Sequence, residues 1–348
     1  MPIRYLVLND PHIDAKPPSS KRTDDYESAC FTKLDHVLEL AVAHECVAIL
    51  CTGDWFHQKH GHRVPHRLVY KVLGWLEACR DARIYVASIA GNHDVPHGNT
   101  STAVLRDQPY GVLMRQFMHL DDDVLTLYSR DDTEPGVVLV TGASYRAPVY
   151  DETGCPMENP AQWSSPPALV RPGNPVKRVH LVHASVLPTA PRWAPYTLAE
   201  DMLAQTSADV VHCGHIHEDL GILEFPNQRG VLATFTNTGS MTRGSLTEET
   251  VARVPNVLLA EYDFSRCPVA SFTRLPLPCA PATEIYDVTA YRDEKIKTAQ
   301  LSQWGDQLRR ELAETTEGEE EALPALIART ESLDSPARRL ALGILDTL

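Results

Sequence analysis

Residue types that bind divalent metal ions recur in five short clusters along the chain. The clusters combine carboxylate, imidazole and carboxamide side chains, whose oxygen and nitrogen atoms suit hard to borderline divalent ions. They are Asp10-Pro-His12, Gly53-Asp54, Gly91-Asn92-His93-Asp94, the isolated His183, and Gly214-His215-Ile216-His217. A carboxylate shared between two ions holds them close together, as a two-metal hydrolytic centre requires. The clusters therefore predict metal-assisted hydrolysis.

Short apolar segments precede four of the clusters and are predicted to be buried β-strands. Their sequences are IRYLVLN, VAILCTG, IYVASIAG and VVHCG. Helical patterns alternate with these strands, over residues 28–44 with an i, i+3, i+4, i+7 apolar spacing and over 65–79. This alternation, together with several short strands between residues 209 and 264, predicts an α/β fold with two packed sheets and outer helices.

Other parts of the chain carry weaker patterns. Residues 103–119 are predicted to be helical, and residues 145–177, rich in Pro, Gly and Ser, are predicted to form a long surface excursion. Residues 268–281 are rich in proline and predict an extended strand, whereas 293–315 and 335–347 have amphipathic helical patterns. We therefore expect a catalytic domain over 1–265 and a reduced, mostly helical cap or partner-docking region over 266–348.

Composition limits the classes of protein that fit. The 348 residues are 43% hydrophobic and 22% charged, which is ordinary for a soluble globular protein. No apolar run approaches the ~18 residues of a membrane span, and no signal peptide is recognisable. The eight scattered cysteines form no CxxC pair, so we expect reduced thiols and a cytoplasmic location. The net charge of −14 argues against a general polyanion-binding surface, although bound metal ions would supply local positive charge.

Roles within the clusters follow partly from position. Asp54 follows a strand and a glycine that permits a sharp bend, so we assign it as the carboxylate shared by two ions. His180 and His183 are alternative candidates for the isolated histidine, and His183 is favoured because it ends its strand whereas His180 lies inside it. His212 also lies inside a strand and is interpreted as a packed residue. Each cluster taken alone is more often a turn, a helix cap or a surface histidine, so the prediction depends on their combination and order.

In this order, the clusters resemble the signature blocks of the calcineurin-like metallophosphoesterase superfamily. The resemblance covers residues 10–217 and implies a four-layer α-β-β-α sandwich with two divalent ions. Manganese is the expected metal, with magnesium, iron and zinc as alternatives. The implied ligands of one ion are Asp10, His12, Asp54 and His217, and those of the other are Asp54, Asn92, His183 and His215. The resemblance also places His93 beside the scissile phosphate, paired with Asp94.

The residues after Asp54 resemble one branch of that superfamily. The sequence Gly53-Asp54-Trp55-Phe56-His57 is similar to a block of the double-strand-break repair nucleases, which include the SbcD-type exonuclease subunits of bacteria and phages. This resemblance implies that His57 handles a DNA phosphodiester. A second similarity is the segment 237–240, Asn-Thr-Gly-Ser, which resembles the Pro-Gly-Ser block of these nucleases with Thr238 in place of proline. A glycine-serine hairpin loop is the alternative interpretation of that segment.

The implied function is a DNA exonuclease or endonuclease of repair or recombination, in a bacterium or a phage. The implied partner is an SMC-like coiled-coil ATPase, docked on the C-terminal helices, and a homodimer is a further expectation. A small-molecule phosphodiesterase of the same fold, acting on a cyclic nucleotide or a phospholipid headgroup, is the alternative enzyme. A non-catalytic metal-bearing scaffold is the alternative outside enzymes, and the intact ligand set with His93 argues against it.

Overall fold

The computed structural model describes residues 2–18, 22–59, 61–95, 102–121, 123–129, 136–163, 175–193, 195–244, 247, 251–264, 269–287, 289, 291 and 296. The chain divides into two compact units, Met1–Val288 and Thr289–Leu348. Every helix and strand named below belongs to the first unit.

The first large sheet contains the N-terminal strand of the chain. Its strands are β1 (Ile3–Leu8), β2 (Ala48–Cys51), β3 (Tyr85–Ser88), β4 (Met118–His119), β15 (Asn256–Asp263) and β16 (Val269–Pro276), in the order β16-β15-β1-β2-β3-β4. Strands β1 to β4 run parallel to one another, while β15 is antiparallel to both β1 and β16. The parallel strands β1, β2 and β3 therefore end side by side at one edge of the sheet.

The second large sheet is built from the middle of the chain. Its strands are β5 (Leu125–Tyr128), β6 (Val137–Ala143), β9 (Val176–His183), β12 (Val210–Gly214), β13 (Asp219–Pro226) and β14 (Leu232–Thr238), in the order β13-β14-β12-β9-β6-β5. Strands β6, β9, β12 and β14 are parallel, with antiparallel β5 and β13 at the two edges. Two short pairs lie outside these sheets: β7 (Val149–Tyr150) with β8 (Pro156–Met157), and β10 (Val186–Leu187) with β11 (Thr197–Leu198).

Most of the helices pack on the outer faces of the sheets. They are α1 (Tyr26–Ala43), α2 (His66–Asp81), α3 (Thr102–Arg106), α4 (Pro109–Leu113), α5 (Ala199–Gln205) and α6 (Ala282–Ile285). Helix α1 begins where the Asp25 carboxylate accepts a hydrogen bond of 3.0 Å from the Ser28 N–H, which satisfies a donor that the helix itself leaves free. Its buried face includes Cys30, Leu34 and Val37, which repeat at helical spacing.

Three apolar clusters separate the layers. One lies between the sheets and joins Tyr5, Val7 and Leu50 to Val140 and Leu181. A second packs the other face of the first sheet against α1 and α2, and a third packs the other face of the second sheet against α5. The fold is therefore α/β with four layers, α-β-β-α, which confirms the predicted class.

The helix predicted over 103–119 is wrong in its extent, since the segment holds two short helices followed by strand β4. The break lies at Gln108, whose φ of −102° and ψ of 161° are extended. A proline disfavours helical backbone in the residue before it and is well placed at the first position of a helix. Pro109 therefore ends one helix and starts the next.

The extended strand predicted near 268–281 is confirmed as β16, which completes the edge of the first sheet. Both β16 and α6 lie beyond the predicted domain boundary at residue 265, and both belong to the first compact unit. Apart from residue 296, the amphipathic helices predicted over 293–315 and 335–347 lie outside the described residues, so the cap and docking roles of 266–348 stay predictions. Among the helices that the structure describes, none has the length and apolarity needed to cross a bilayer.

Candidate metal centre

All five clusters lie at or just after the carboxyl ends of parallel strands. Asp10, Asp54 and Asn92 follow β1, β2 and β3 in the first sheet, whereas His183 ends β9 and His215 follows β12 in the second. Contacts across the sandwich, such as 2.7 Å between the Nε2 atoms of His12 and His217, show that the two sets of strand ends meet. The parallel topology thus converges residues that are 205 positions apart.

Two glycines allow this convergence. Gly53 has a φ of +102°, in the left-handed region that residues with a side chain rarely adopt, and it turns the backbone after β2. Gly91 has no side chain where the chain passes Asp54, and a Cβ added there would lie 2.1 Å from the Asp54 Oδ1. The glycines that precede Asp54 and Asn92 are therefore required by the turn and by the close packing.

Four residues of the site hold left-handed backbone despite carrying side chains. Their φ values are 44° for Asp10, 45° for His12, 54° for Asp54 and 86° for His215. Such a conformation costs on the order of 1–3 kcal/mol per residue and persists where the surroundings enforce it. Within the described ranges only Glu45 and Arg83 share it among residues other than glycine. The strain is thus concentrated at the strand ends that carry the candidate ligands.

One half of the site gathers around His12. Its Nε2 atom lies 2.7 Å from the Nε2 of His217 and 3.4 Å from the Oδ2 of Asp54. One ligand atom from each of these three residues falls within 4.8 Å of the others. These atoms form the first candidate ion position, with three of the four ligands that the family resemblance implied.

The other half gathers around Asn92. Its Oδ1 atom lies 3.0 Å from the His183 Nε2 and 3.0 Å from the His215 Nδ1. The His183 Nε2 is also 3.4 Å from the Asp54 Oδ2, while its Nδ1–H donates to the carbonyl of Thr52 at 2.8 Å. Because this bond fixes the ring, Nε2 is the nitrogen that faces the site. Asp54 borders both halves, as expected of a shared carboxylate.

Asp10 lies between the two halves. It groups within 4.8 Å with Asp54 and His183, although the family resemblance implied that it binds the same ion as His12. Its Oδ1 atom is 3.5 Å from the His183 Nδ1 and accepts a hydrogen bond of 3.0 Å from the His215 N–H. Asp10 therefore also holds the backbone that presents His215.

Charge and burial show that these residues fit divalent ions. Burial lowers the pKa of His12 and lowers that of His215 to about 3 and that of His217 to about 4, so all three imidazoles are neutral at pH 7 and offer lone pairs. Burial raises the pKa of Asp10 to about 7, which shows that this carboxylate is short of positive charge. In addition, the buried Nδ1 of His12 has no hydrogen-bond partner among the described residues.

The charges of Asp54 and His183 are linked. Burial alone would raise the pKa of Asp54, but His183 and His12 hold it well below its usual range. Burial likewise opposes the charge on His183, yet Asp54 and Asp10 raise the pKa of His183 to about 9. In this structure a proton on His183 therefore supplies part of the positive charge that a divalent ion would supply.

The predicted catalytic residues are placed differently from one another. His93 lies at the edge of the site, with its Nε2 4.0 Å from the Asp54 Oδ2 and its Nδ1–H donating to the carbonyl of His57. Asp94, predicted to orient His93, instead accepts backbone N–H bonds from Asp54 at 2.7 Å and from Gly91 at 2.9 Å. Asp94 thus fixes the turn that carries the shared carboxylate, and the His57 carbonyl orients His93.

The segment after Asp54 combines core and site residues. Trp55 and Phe56 are buried, and the indole N–H of Trp55 donates to the Ser88 hydroxyl at 2.9 Å. His57 follows at the edge of the site, where its ring centroid lies 5.4 Å from that of His93. The two aromatic residues therefore anchor the segment in the core so that both the ring and the carbonyl of His57 reach His93.

The histidines set aside within strands lie away from the ligand atoms. His180 contacts the Thr141 hydroxyl at 2.8 Å through Nδ1 and the Gln162 carbonyl at 2.8 Å through Nε2. His212 contacts the hydroxyls of Thr236 at 2.6 Å and Tyr5 at 3.0 Å. Both rings have their nitrogens occupied within the core.

Sequence patterns missed several residues that support the site. Thr52 holds His183 through its carbonyl, and the ring of Tyr145 lies 6.0 Å from that of His215. Arg253 donates to the Ser240 carbonyl at 2.7 Å and lowers the pKa of Asp10 through its charge, an effect smaller than that of burial. Thr52 directly precedes the Gly53-Asp54 cluster, so its position beside the site is predictable from the sequence. Tyr145 and Arg253 belong to no motif and become visible only in the fold.

Comparison with known families agrees with this geometry. A family model described as calcineurin-like phosphoesterase matches residues 3–219, a range that contains all five clusters. No curated protein sequence matches the chain. Similar solved structures include TT1561 of Thermus thermophilus, at 10% identity over 79% of this chain and 99% of that one, with a TM-score of 0.41. A dimetal phosphatase from Danio rerio has 13% identity, 79% and 99% coverage and a TM-score of 0.41. GAP50, an anchor in the inner membrane complex of Plasmodium, has 8% identity, 81% and 90% coverage and a TM-score of 0.40.

Proposed function

The chain belongs to the calcineurin-like phosphoesterase family, and from this premise we propose that it hydrolyses phosphodiester bonds of DNA at a dinuclear metal centre. The convergence of strand-end ligands on Asp54 supports the phosphoesterase chemistry. His57, which both orients His93 and borders the site, supports the choice of a phosphodiester in DNA. The segment 53–57, which ends in this histidine, resembles a block of the double-strand-break repair nucleases within the family.

The residues that would hold the ions are those that converge around Asp54. They are Asp10, His12, Asn92, His183, His215 and His217, with Asp54 shared. When bound, the ions would supply the positive charge that polarises a phosphoryl oxygen and activates water at neutral pH. We propose manganese as the working metal, as the resemblance to the repair nucleases implies, and the carboxylate and carboxamide oxygens of Asp10, Asp54 and Asn92 suit it.

His93 is the proposed general acid. Its Nδ1–H is fixed on the His57 carbonyl, so the opposite nitrogen, Nε2, points toward the Asp54 carboxylate and the space beside it. Burial lowers the pKa of His93, which by itself favours a neutral ring with its proton on Nδ1. The negative charge of a phosphodiester beside Nε2 would favour the imidazolium, in which Nε2 also carries a proton. We propose that this proton goes to the 3′-oxygen that leaves as the phosphodiester bond breaks.

His57 is the proposed contact for the nucleic-acid backbone. Burial also lowers the pKa of His57, and its ring lies 5.5 Å from His12 as well as near His93. A neutral imidazole can donate one hydrogen bond to a phosphate oxygen without competing with the ions for charge. His57 would thereby position the scissile group rather than take part in bond breaking.

The direct test is hydrolysis of linear double-stranded and single-stranded DNA in the presence of manganese, beside methyl p-nitrophenyl phosphate as a small diester. We expect cleavage of DNA and of the small diester, and no cleavage by Asn92→Ala. Hydrolysis of the small diester without any cleavage of DNA would reject the nuclease and favour the small-molecule phosphodiesterase. Binding to DNA that weakens steeply with added salt would support the nuclease.

We also propose an SMC-like coiled-coil ATPase as the partner, docked on the region after residue 288. Co-expression with such an ATPase, followed by size-exclusion chromatography, tests this proposal. We expect the full chain to co-elute with the ATPase and the chain ended at residue 288 to elute alone. Co-elution of both the full chain and the chain ended at residue 288 would place the docking surface before residue 288. A homodimer in the absence of the ATPase would favour self-association as the alternative.

A further inference from the structure

A cavity lies beside the metal centre, between α2 and the short helices α3 and α4. Its volume is about 560 Å³, within the ~300–1,000 Å³ typical of small-molecule sites. Its wall is formed by apolar side chains from α2 and α4, with Val69 and Leu73 on α2 and Val112 on α4. None of the proposed roles above uses this cavity.

The cavity adjoins the candidate acid. A small recess lined by His93 and Asp94 shares Gly61, Val64 and Gln108 with the cavity wall. Lys59 lines the cavity, and its charge lowers the pKa of His93, an effect smaller than that of burial. The cavity and the recess at His93 therefore share one wall.

The polar lining favours an anionic ligand with an aromatic part. Lys59 and Arg106 are exposed and form no ion pair within the described residues, while Asp107 is the one acidic residue of the lining. Tyr70 is 74% exposed at the cavity, so its ring face is available for stacking. Gln108 adds an amide that can both donate and accept hydrogen bonds, as the edge of a nucleobase requires.

We propose that this cavity binds the nucleoside attached to the scissile phosphate, with the base between Tyr70 and the apolar wall and the phosphate beside Lys59. This inference rests on the proposed function, because it assumes a phosphodiester held at His93. A planar base explains the exposed aromatic ring next to an apolar wall. Two cations without an ion pair among the described residues explain how a chain of net charge −14 attracts a polyanion here. The cavity would then select nucleotides over other phosphate esters.

The test compares binding of thymidine 5′-monophosphate and inorganic phosphate to the manganese-loaded protein by calorimetry. Inorganic phosphate probes the metal centre, and the nucleotide probes the centre together with the cavity. Val112→Trp fills the cavity from a residue that is 41% exposed, and Tyr70→Ala removes the stacking surface without adding bulk. Glu77→Trp, on an exposed position of α2 outside the cavity lining, is the matched control.

We expect the wild-type protein to bind the nucleotide more tightly than phosphate. Val112→Trp should weaken nucleotide binding at least ~10-fold, because the indole fills the space of the base and so prevents its stacking on Tyr70. Tyr70→Ala should weaken it in the same direction, and Glu77→Trp should leave it within about twofold. Equal binding of nucleotide and phosphate by the wild-type protein, or unchanged nucleotide binding in both cavity variants, would overturn the proposal. The hydrolysis assay separates the proposed nuclease function from the proposed role of the cavity. Cleavage of DNA by a protein that binds nucleotide and phosphate equally would reject the role of the cavity and leave the nuclease function standing.

Discussion

Strand β9 carries two histidines that are alike in residue type and burial but different in chemistry. His180 and His183 are three positions apart, and each has 0% of its surface exposed. His180, inside the strand, has both nitrogens bonded to the core, whereas His183, at the carboxyl end, keeps Nε2 directed at Asn92 and Asp54. Their pKa values move apart accordingly, to about 4 for His180 through burial and to about 9 for His183, where Asp54 and Asp10 outweigh burial.

Position along the strand therefore decides what a buried histidine does. Inside a sheet the neighbouring strands supply hydrogen-bond partners at fixed register, and the ring is satisfied where it packs. At the carboxyl end the next residues leave the sheet, so side chains from neighbouring strands converge on one another. His212 and His215 on and after β12 repeat the contrast in hydrogen bonding, with His212 bonded to Thr236 and Tyr5. Burial lowers the pKa of both to about 3, so the divergence in pKa is specific to β9.

The strongest test of this comparison exchanges each histidine of β9 for alanine. His183→Ala should lose bound metal and at least ~1,000-fold in the rate of phosphodiester hydrolysis, because a metal ion contributes several kcal/mol of transition-state stabilisation. His180→Ala should keep its metal and its rate while losing about 1–3 kcal/mol of unfolding free energy, since two buried hydrogen bonds are removed.

Metal content by mass spectrometry, initial rates and urea unfolding distinguish the two β9 variants. Equal loss of metal in His183→Ala and His180→Ala would contradict the comparison. Position along the strand would then not decide which histidine binds metal. The Asn92→Ala variant provides the reference for loss of a ligand elsewhere in the centre.

His93 extends the comparison, because it faces the metal centre but is not one of the proposed ligands. His93→Ala should keep both ions and lose at least ~100-fold in rate, the usual contribution of an acid–base residue. Asp94→Asn should cost much less, because the asparagine oxygen still accepts the N–H bonds from Asp54 and Gly91. Wild-type rates for His93→Ala would refute the acid role, and equal losses in both variants would restore Asp94 as the partner of His93.

The dependence of stability on pH tests the strand-interior histidine alone. Because burial lowers the pKa of His180 to about 4, the unfolded chain binds its proton first as the pH falls below the usual value of about 6.5. The contribution of His180 is therefore complete above pH 6.5 and declines between pH 6.5 and 4, by about 2 kcal/mol at pH 5.

Urea unfolding of the metal-free protein at pH 7.5 and pH 5 measures this decline. His180→Gln, which does not titrate in this range, should lose about 2 kcal/mol less than the wild-type protein over the same interval. Parallel losses in the two proteins would show that His180 is not held neutral by burial, and would remove the electrostatic part of the contrast with His183.

The smallest expected effect concerns the support of His212. The Tyr5 hydroxyl lies 3.0 Å from the His212 Nε2 and 3.2 Å from the Tyr262 hydroxyl, in the core between the sheets. Tyr5→Phe should cost about 1 kcal/mol of unfolding free energy, the scale of one net hydrogen bond, with no change in rate. A fall in rate with unchanged stability would mean that the strand interior is coupled to the centre.

Much of the fold was predictable because its signals are local. Helix α1 follows from apolar residues at helical spacing, and β1, β2, β3 and β12 follow from short apolar runs that end in ligand clusters. The prediction of one helix over 103–119 is wrong because the apolar pattern continues through Pro109, whereas a proline disfavours helical backbone in the residue before it. That signal was present in the sequence.

The candidate site was predictable in its membership and less so in its internal contacts. The structure brings Asp54 and His183 to the same place because parallel strands end together, which the sequence pattern anticipates. The carbonyl that orients His93 lies 36 residues away and has no side-chain signature, so residue type could not reveal it. The packing of Tyr145 against His215 likewise depends on how the two sheets dock.

The contact between His12 and His217 has a consequence for the order of folding. These rings are 205 residues apart and come from different sheets. The contact closes a long loop of the chain, and the entropy lost in closing that loop is recovered only when many other contacts form. Pairings among the parallel strands, such as β1 with β2 and β9 with β12, join nearer parts of the chain and can form earlier, whereas the pairing of β1 with β15 is as long-range as this contact. Uptake of the divalent ions during refolding would therefore follow the formation of the local pairings, and would report when the two halves of the sandwich join.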